Sequence, residues 1–132
     1  MQSTNKNSKL IFPELSYVVT GLCYKVHNEL GRFSKEKQYC DSLAQKLTEE
    51  KIPFKRELRA YEFNELPDFI IDDKIIFEAK AKRILLPEDY FQVQRYLQHL
   101  DYPLGLLVNF WCKFIDPKRI VKIETDARKK YL

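Results

Sequence analysis

Two runs of apolar and β-branched residues flank a polar Asp-Asp pair in the stretch LPDFIIDDKIIFEAKAK at 66–82, and charged residues sit on them. Asp68, Glu78 and Lys80 sit in two β-branched runs, where a purely structural hairpin takes apolar or neutral residues. Side chains two apart on a strand share a face. Glu78 and Lys80 therefore point one way, and Phe77, Ala79 and Ala81 the other. Asp68 precedes Glu78 across a tight turn at Asp72-Asp73. A two-residue loop there puts the carboxylates on opposite faces, whereas a three-residue loop, or a bulge near Asp68, puts them on one. Converging carboxylates repel and raise each other's pKa unless a cation sits between them. Mg²⁺ or Mn²⁺ suits oxygen ligands, and a lysine beside it can orient a water and stabilise charge on a phosphate. Asp…Glu-x-Lys thus suits phosphodiester hydrolysis. Taken alone it fits equally a turn-starting Asp68 and an exposed Glu78/Lys80 ladder on a half-solvated face.

The neighbouring elements must position these groups. PELSYVVTGLCYKVHNELG has apolar residues at 15, 18, 19, 22, 26 and 30, with Pro13 before and Gly31 after; the spacing predicts an amphipathic helix. A second helix is expected over SKEKQYCDSLAQKLTEEK, with Ser34 as N-cap, Lys37 at the capping-box position and apolar residues at 39, 43, 44 and 47. Pro53 ends it, and FKRELRAYEF alternates weakly, as a charged edge strand does. LPDFII and KIIFEAKA read as denser strands. PEDYFQVQRYLQHL returns to helical spacing at 90, 93, 97 and 100, and PLGLLVNF is a continuous apolar run of the kind buried on both faces. RIVKIET adds a final edge strand. The expected order is α-α-β-β-β-α-β-β, an α/β domain with a central mixed sheet flanked by helices.

A chain of 132 residues makes one domain. We expect a flexible lead over 1–12, a folded unit over 13–125 and a basic tail over 126–132. From Trp111 to Leu132 seven basic side chains face three acids, a surplus that accounts for the whole net charge of +4; such an end can meet phosphates or simply aid solubility. No apolar run reaches the length of a membrane span and the N-terminus lacks a signal-peptide core, so the cytoplasm is expected. Cys23, Cys40 and Cys112 are odd in number and lack a CxxC pair, which argues for buried thiols against a disulfide framework or zinc site. His27 and His99 have no partner at metal-ligand spacing, so neither is assigned chemistry.

Pro67-Asp68-x(9)-Glu78-Ala79-Lys80, followed by a helix bearing Gln92 and preceded by one bearing an acid, resembles the PD-(D/E)xK nuclease superfamily, whose fold is restriction-endonuclease-like with three layers. Within it the chain is similar to the small GxxExxY family, through VHNELG (26–31), Glu36-x-x-Tyr39, DFIIDDKIIFEAKA (68–81), QVQRYL (92–97) and LGLLVNF (104–110). The first glycine of the family motif falls at Phe33, a departure that bears on the entry into the second helix. The resemblance implies that Asp68 and Glu78 bind Mg²⁺ or Mn²⁺, that Lys80 orients water or stabilises charge, and that Glu36 binds or orients metal-bound water, with Glu29 a weaker substitute. Gln92 reaches toward the site, and Tyr96, one turn on, contacts substrate or packs. Tyr39 is expected in the core. Lys82 and Arg56 flank the site in sequence and are candidates for phosphate, or charged protection for strand edges.

The reading is a metal-dependent nuclease acting on DNA, less so RNA. The alternative is a catalytically silent module of the same fold that binds nucleic acid or protein. Its small size suggests a homodimer or a place in a larger complex, with LGLLVNFW and Trp111 as an apolar contact edge.

Overall fold

Alternation along one strand sets the two faces of the sheet. In β3 (Ile75–Lys80), Ile75, Phe77 and Ala79 join Phe69 and Ile71 in one buried cluster. Ile76 joins Val93, Tyr96, Leu97 and Leu107 in another. The computed structural model describes residues 11–56 and 66–124. Their remaining elements are α1 (Pro13–Leu30), α2 (Glu36–Glu49), β1 (Phe54–Arg56), β2 (Phe69–Ile71), α3 (Pro87–Leu100), β4 (Leu104–Asn109) and β5 (Lys118–Val121). The strands lie in the order β1-β2-β3-β4-β5. All neighbours are antiparallel except β3 and β4, which run parallel, with α3 as the crossover that a parallel pair needs. Helices α1 and α2 cover the Phe69/Phe77 face and α3 covers the other. The result is the three-layer α/β arrangement expected from the sequence, in the same element order.

Local differences have local causes. The buried stripe of α1 is Ser16, Val19, Leu22, Cys23 and Val26, while Val18 faces out; the stripe follows the 19-22-23-26 spacing, which lies off residue 18. The N-cap of α2 is Lys35, one residue beyond Ser34. Gln38 then supplies the returning acceptor, its Oε1 taking the Lys35 N–H at 2.8 Å, so a polar acceptor at the third helical position does what Lys37 could not. β1 is an edge strand, as expected; residues 57–63 of its expected stretch lie outside the described residues. β4 is buried along its whole length but is no edge, because β5 pairs with it; the apolar run is spent inside the sheet. Ile11 and Phe12 pack on the α1/α2 core, while residues 1–10 and the tail at 126–132 lie outside the described residues. All three cysteines are free, Cys23 and Cys40 buried. Among the described residues no helix is long and apolar enough to cross a membrane.

Candidate active site

The β2–β3 ladder pairs Phe69 with Phe77, Ile70 with Ile76 and Ile71 with Ile75. Three residues, Asp72, Asp73 and Lys74, therefore connect the strands. Asp72 and Asp73 both take left-handed backbone, with φ of 52° and 51°, and the Lys74 N–H closes the turn onto the Ile71 carbonyl at 2.9 Å. Lys74 is the extra residue, and it moves the register by one. Extended one step, that register sets Asp68 opposite Glu78, on the face shared with Lys80. Of the two arrangements left open by the sequence, the three-residue loop is the one found. Beyond the ladder the side chains take over the strand's hydrogen bonds. The Asp68 N–H donates to Glu78 Oε1 at 3.1 Å, and the Ala79 N–H donates to Asp68 Oδ2 at 2.8 Å.

Lys80 is held from α3. Its Nζ donates to Gln92 Oε1 at 2.9 Å and lies 3.5 Å from Glu78 Oε2 and 3.8 Å from Asp89 Oδ1. Asp89 is buried; it accepts the N–H of the N-cap residue Leu86 at 2.7 Å and the Lys82 ammonium at 2.9 Å and 3.1 Å. α3 reaches the sheet this closely because β4 has a glycine beneath it: a Cβ on Gly105 would lie 2.6 Å from Val93 Cγ1. At the carboxyl end of β4, Asn109 sits opposite Lys80. Its Oδ1 accepts the N–H groups of Lys82 and Trp111, each at 3.2 Å, and its Nδ2 donates to the Lys82 carbonyl at 2.8 Å.

The other expected residues are placed as follows. Glu36, the first residue of α2, reaches the end of β3 and accepts the Ala81 N–H on Oε2 at 3.3 Å. It does not close a three-carboxylate group with Asp68 and Glu78, because α2 lies in the opposite helical layer and meets the site only at the sheet's end. Glu29 is further off and pairs with Lys46 at 2.7 Å. Tyr96 is 5% exposed, with its hydroxyl donating to the Leu66 carbonyl at 3.3 Å, so it stands behind the start of β2. Arg56 pairs with Asp41 at 2.8 Å and lies over the Phe69 ring. Tyr39 is core, stacked on Phe110 at 4.5 Å. His27 bonds the Cys112 carbonyl at 2.8 Å, and His99 is exposed.

The carboxylates are electrostatically uncomfortable. Burial pushes the Glu78 carboxyl up to about 8, with the adjacent Asp68 charge adding and Lys80 opposing. Burial also raises Asp68, against the Ala79 N–H and with the help of the Glu36 charge. For Asp89 burial acts upward too, but the Leu86 N–H and the Lys82 ammonium outweigh it and hold the carboxyl below its ordinary range. Among the described residues no three His, Cys, Asp or Glu side chains converge as a ready cation cage. The donor set is therefore two adjacent carboxylates whose charge is undercompensated. That fits Mg²⁺ or Mn²⁺, which keep much of their shell as water or phosphate oxygen, and does not fit a closed zinc site.

Sequence reasoning missed Asp89 and Asn109. Asp89 carried a signal, being an acid at the third position of a helix that starts with Pro87. Asn109 carried a fainter one, as the lone amide ending a wholly apolar strand, at the carboxyl edge where open α/β sheets place their sites. The family model described as the PD-(D/E)XK nuclease superfamily matches residues 13–121, from the first residue of α1 to the last of β5. No curated protein and no solved structure gives a significant match.

Proposed function

Because the chain belongs to the PD-(D/E)XK nuclease superfamily and has its restriction-endonuclease-like α/β fold, we propose that it is a Mg²⁺- or Mn²⁺-dependent nuclease that hydrolyses phosphodiester bonds of DNA, with RNA the less favoured substrate. The observation that carries this reading is the pairing of Asp68 with Glu78 on one face, with Lys80 Nζ 3.5 Å from Glu78 and fixed by Gln92 at 2.9 Å. The Glu36-x-x-Tyr39 spacing supports placement in the GxxExxY family. Free thiols suit a reducing compartment such as the cytoplasm.

In this reading Asp68 and Glu78 would hold the metal. When bound, the ion lowers the pKa of a water and draws charge from the scissile phosphate. Lys80 keeps its ammonium aimed at that space, where it hydrogen-bonds the attacking water and stabilises the charge developing on phosphoryl oxygen. Gln92 and Asp89 prevent Lys80 from collapsing onto Glu78. Glu36, tied to the Ala81 N–H, orients water at the rim.

Calorimetric titration of Mn²⁺ into wild type and Glu78→Gln tests the site without a guess about substrate. Saturable binding lost in the variant is expected. Cleavage of DNA and RNA strands should follow in wild type and fall about 10²–10³-fold in Lys80→Ala. A folded wild type that binds no Mn²⁺ even with nucleic acid present would favour the silent binding module, and cleavage unchanged in Lys80→Ala would mark a contaminant.

A further inference from the structure

Three residues before Glu36, the loop between α1 and α2 leaves Phe33 78% exposed. Around it lies a cluster that the carboxylate site does not use. Arg32 donates its Nε to the Trp111 carbonyl at 2.9 Å and lays its guanidinium 4.3 Å from the Trp111 ring centroid and 5.1 Å from that of Phe33. Arg83 approaches the same tryptophan at 5.8 Å, and the Phe33 and Trp111 rings meet edge to face at 6.1 Å. Among the described residues no carboxylate pairs with Arg32 or Arg83, whereas Lys80, Lys82 and Arg56 are all engaged by acids.

The cluster is held firmly. The Tyr39 hydroxyl donates to the Gly31 carbonyl at 2.6 Å and accepts the Ser34 N–H at 3.1 Å, clamping the loop that carries Arg32 and Phe33. Asn109 takes the Trp111 N–H and fixes both ends of the Lys82 peptide unit next to Arg83, while His27 bonds the Cys112 carbonyl. These contacts cover only one side of Phe33, which stays 78% exposed, and among the described residues no acid neutralises the two guanidiniums beside it. The cluster also sits at the active edge: Arg83 follows Lys80 by three residues, at most about 11 Å of backbone.

An exposed ring face flanked by one anchored guanidinium, Arg32, and a second nearby, Arg83, matches one ligand chemistry, a nucleobase with its phosphates. A duplex hides its base faces in the stack, so an unpaired base is the species able to use Phe33. We propose that Phe33, Arg32, Arg83 and Trp111 form a platform that stacks an unpaired nucleobase and binds its phosphates. Resting on the nuclease reading for what is cut, it directs cleavage to single strands or splayed ends within a few nucleotides of Asp68 and Glu78.

Trp111 is the single tryptophan of the chain, so its emission reports on the platform directly. The test titrates a 12-nucleotide oligo-dT, the matching oligo-U and a 12-base-pair duplex into the full chain in EDTA, where no turnover is needed. Quenching by a single strand, with at least about 10-fold weaker response to duplex, is expected. Phe33→Ala should weaken single-strand affinity about 10-fold or more, and Phe33→Tyr, which keeps the ring, should restore it. Binding of either strand through Phe33 supports the proposal, and the tighter one identifies the sugar. Equal affinity for duplex and single strand, wild-type affinity in Phe33→Ala, or no response to any nucleic acid would overturn it. A parallel cleavage assay in Mn²⁺ separates the two readings. Cleavage by wild type with no effect of Phe33→Ala on single-strand binding sinks the platform and leaves the nuclease. Phe33-dependent binding without cleavage of any strand sinks the nuclease and leaves the platform.

Discussion

Glu78 and Asp89 both lie buried within 4 Å of Lys80, yet their protons are held in opposite ways. Asp89 has a helix N-terminus and a second lysine to settle its charge. Glu78 has the Asp68 carboxylate beside it, and the Asp68 N–H and a shared lysine do not outweigh its burial. A carboxyl raised from 4.5 to about 8 contributes stability that is fully present below the lower value and is lost as pH climbs through the upper one. The metal-free protein should therefore melt at lower temperature near pH 9 than near pH 6, and Glu78→Gln should remove most of that difference. Because a cation needs the deprotonated carboxylates, Mg²⁺ affinity should rise over the same interval. Thermal melts in EDTA and in saturating Mg²⁺ check both signs; a metal-free melting point that rises with pH would remove the burial argument. Asp89→Ala tests positioning as distinct from metal binding. It strips the Leu86 N–H of its acceptor, costing about 1 kcal/mol, and frees Lys80 to settle on Glu78. Turnover should fall about 10-fold while Mn²⁺ still binds. The residue types at 68, 78 and 80 were legible in the sequence, but their facing was not, since one extra loop residue, Lys74, decides it.

The element that matters most to this geometry is α3, because it delivers both Gln92 and Asp89. Its existence was legible from Pro87 and the apolar spacing. Its closeness to the sheet was not, because that depends on Gly105 lying under Val93, a contact between segments that no local pattern encodes. Gly105→Ala should force α3 outward or distort Val93. The expected cost is about 1–3 kcal/mol, with a loss of activity larger than the loss of metal affinity, since Asp68 and Glu78 belong to the hairpin and Gln92 to the helix. Val93→Ala removes the methyl that the new Cβ meets. The double variant should therefore recover turnover relative to Gly105→Ala alone, a non-additivity expected for groups in contact. Denaturant unfolding together with single-turnover cleavage of the three variants decides it, and strictly additive effects would show that α3 is not seated through this contact. The capping of α2 carries a similar lesson. Ser34 looked like the cap because hydroxyls usually serve, but its Oγ is turned to the Leu30 carbonyl and Gln38 acts from the other side of the turn.

At the scale of the molecule, element order and layer assignment were readable because hydrophobic period changes cleanly between helices and strands, and because β4 is apolar up to its closing Asn109. Charge was readable along the sequence but not in space. The surplus of basic residues falls after Trp111, whereas Arg32 and Arg83, which no acid neutralises among the described residues, lie in the body of the fold. Salt dependence can separate the two sources of phosphate affinity, because each phosphate neutralised on a single strand adds about −0.7 to the slope of log K against log salt. If Arg32 and Arg83 each hold one phosphate, the wild-type slope for oligo-dT should be negative and at least about 1.4 in magnitude, and Arg83→Ala should reduce that magnitude by about 0.7. Replacing Arg128, Lys129 and Lys130 together should then leave most of the slope in place. The opposite pattern, an unchanged slope in Arg83→Ala and a collapsed one in the tail variant, would assign the electrostatic grip to the C-terminal run. The platform would then retain only its stacking role, and the two outcomes differ in substrate preference. A tail grips any phosphate backbone without regard to pairing, whereas guanidiniums fixed beside an exposed ring discriminate in favour of strands whose bases are free.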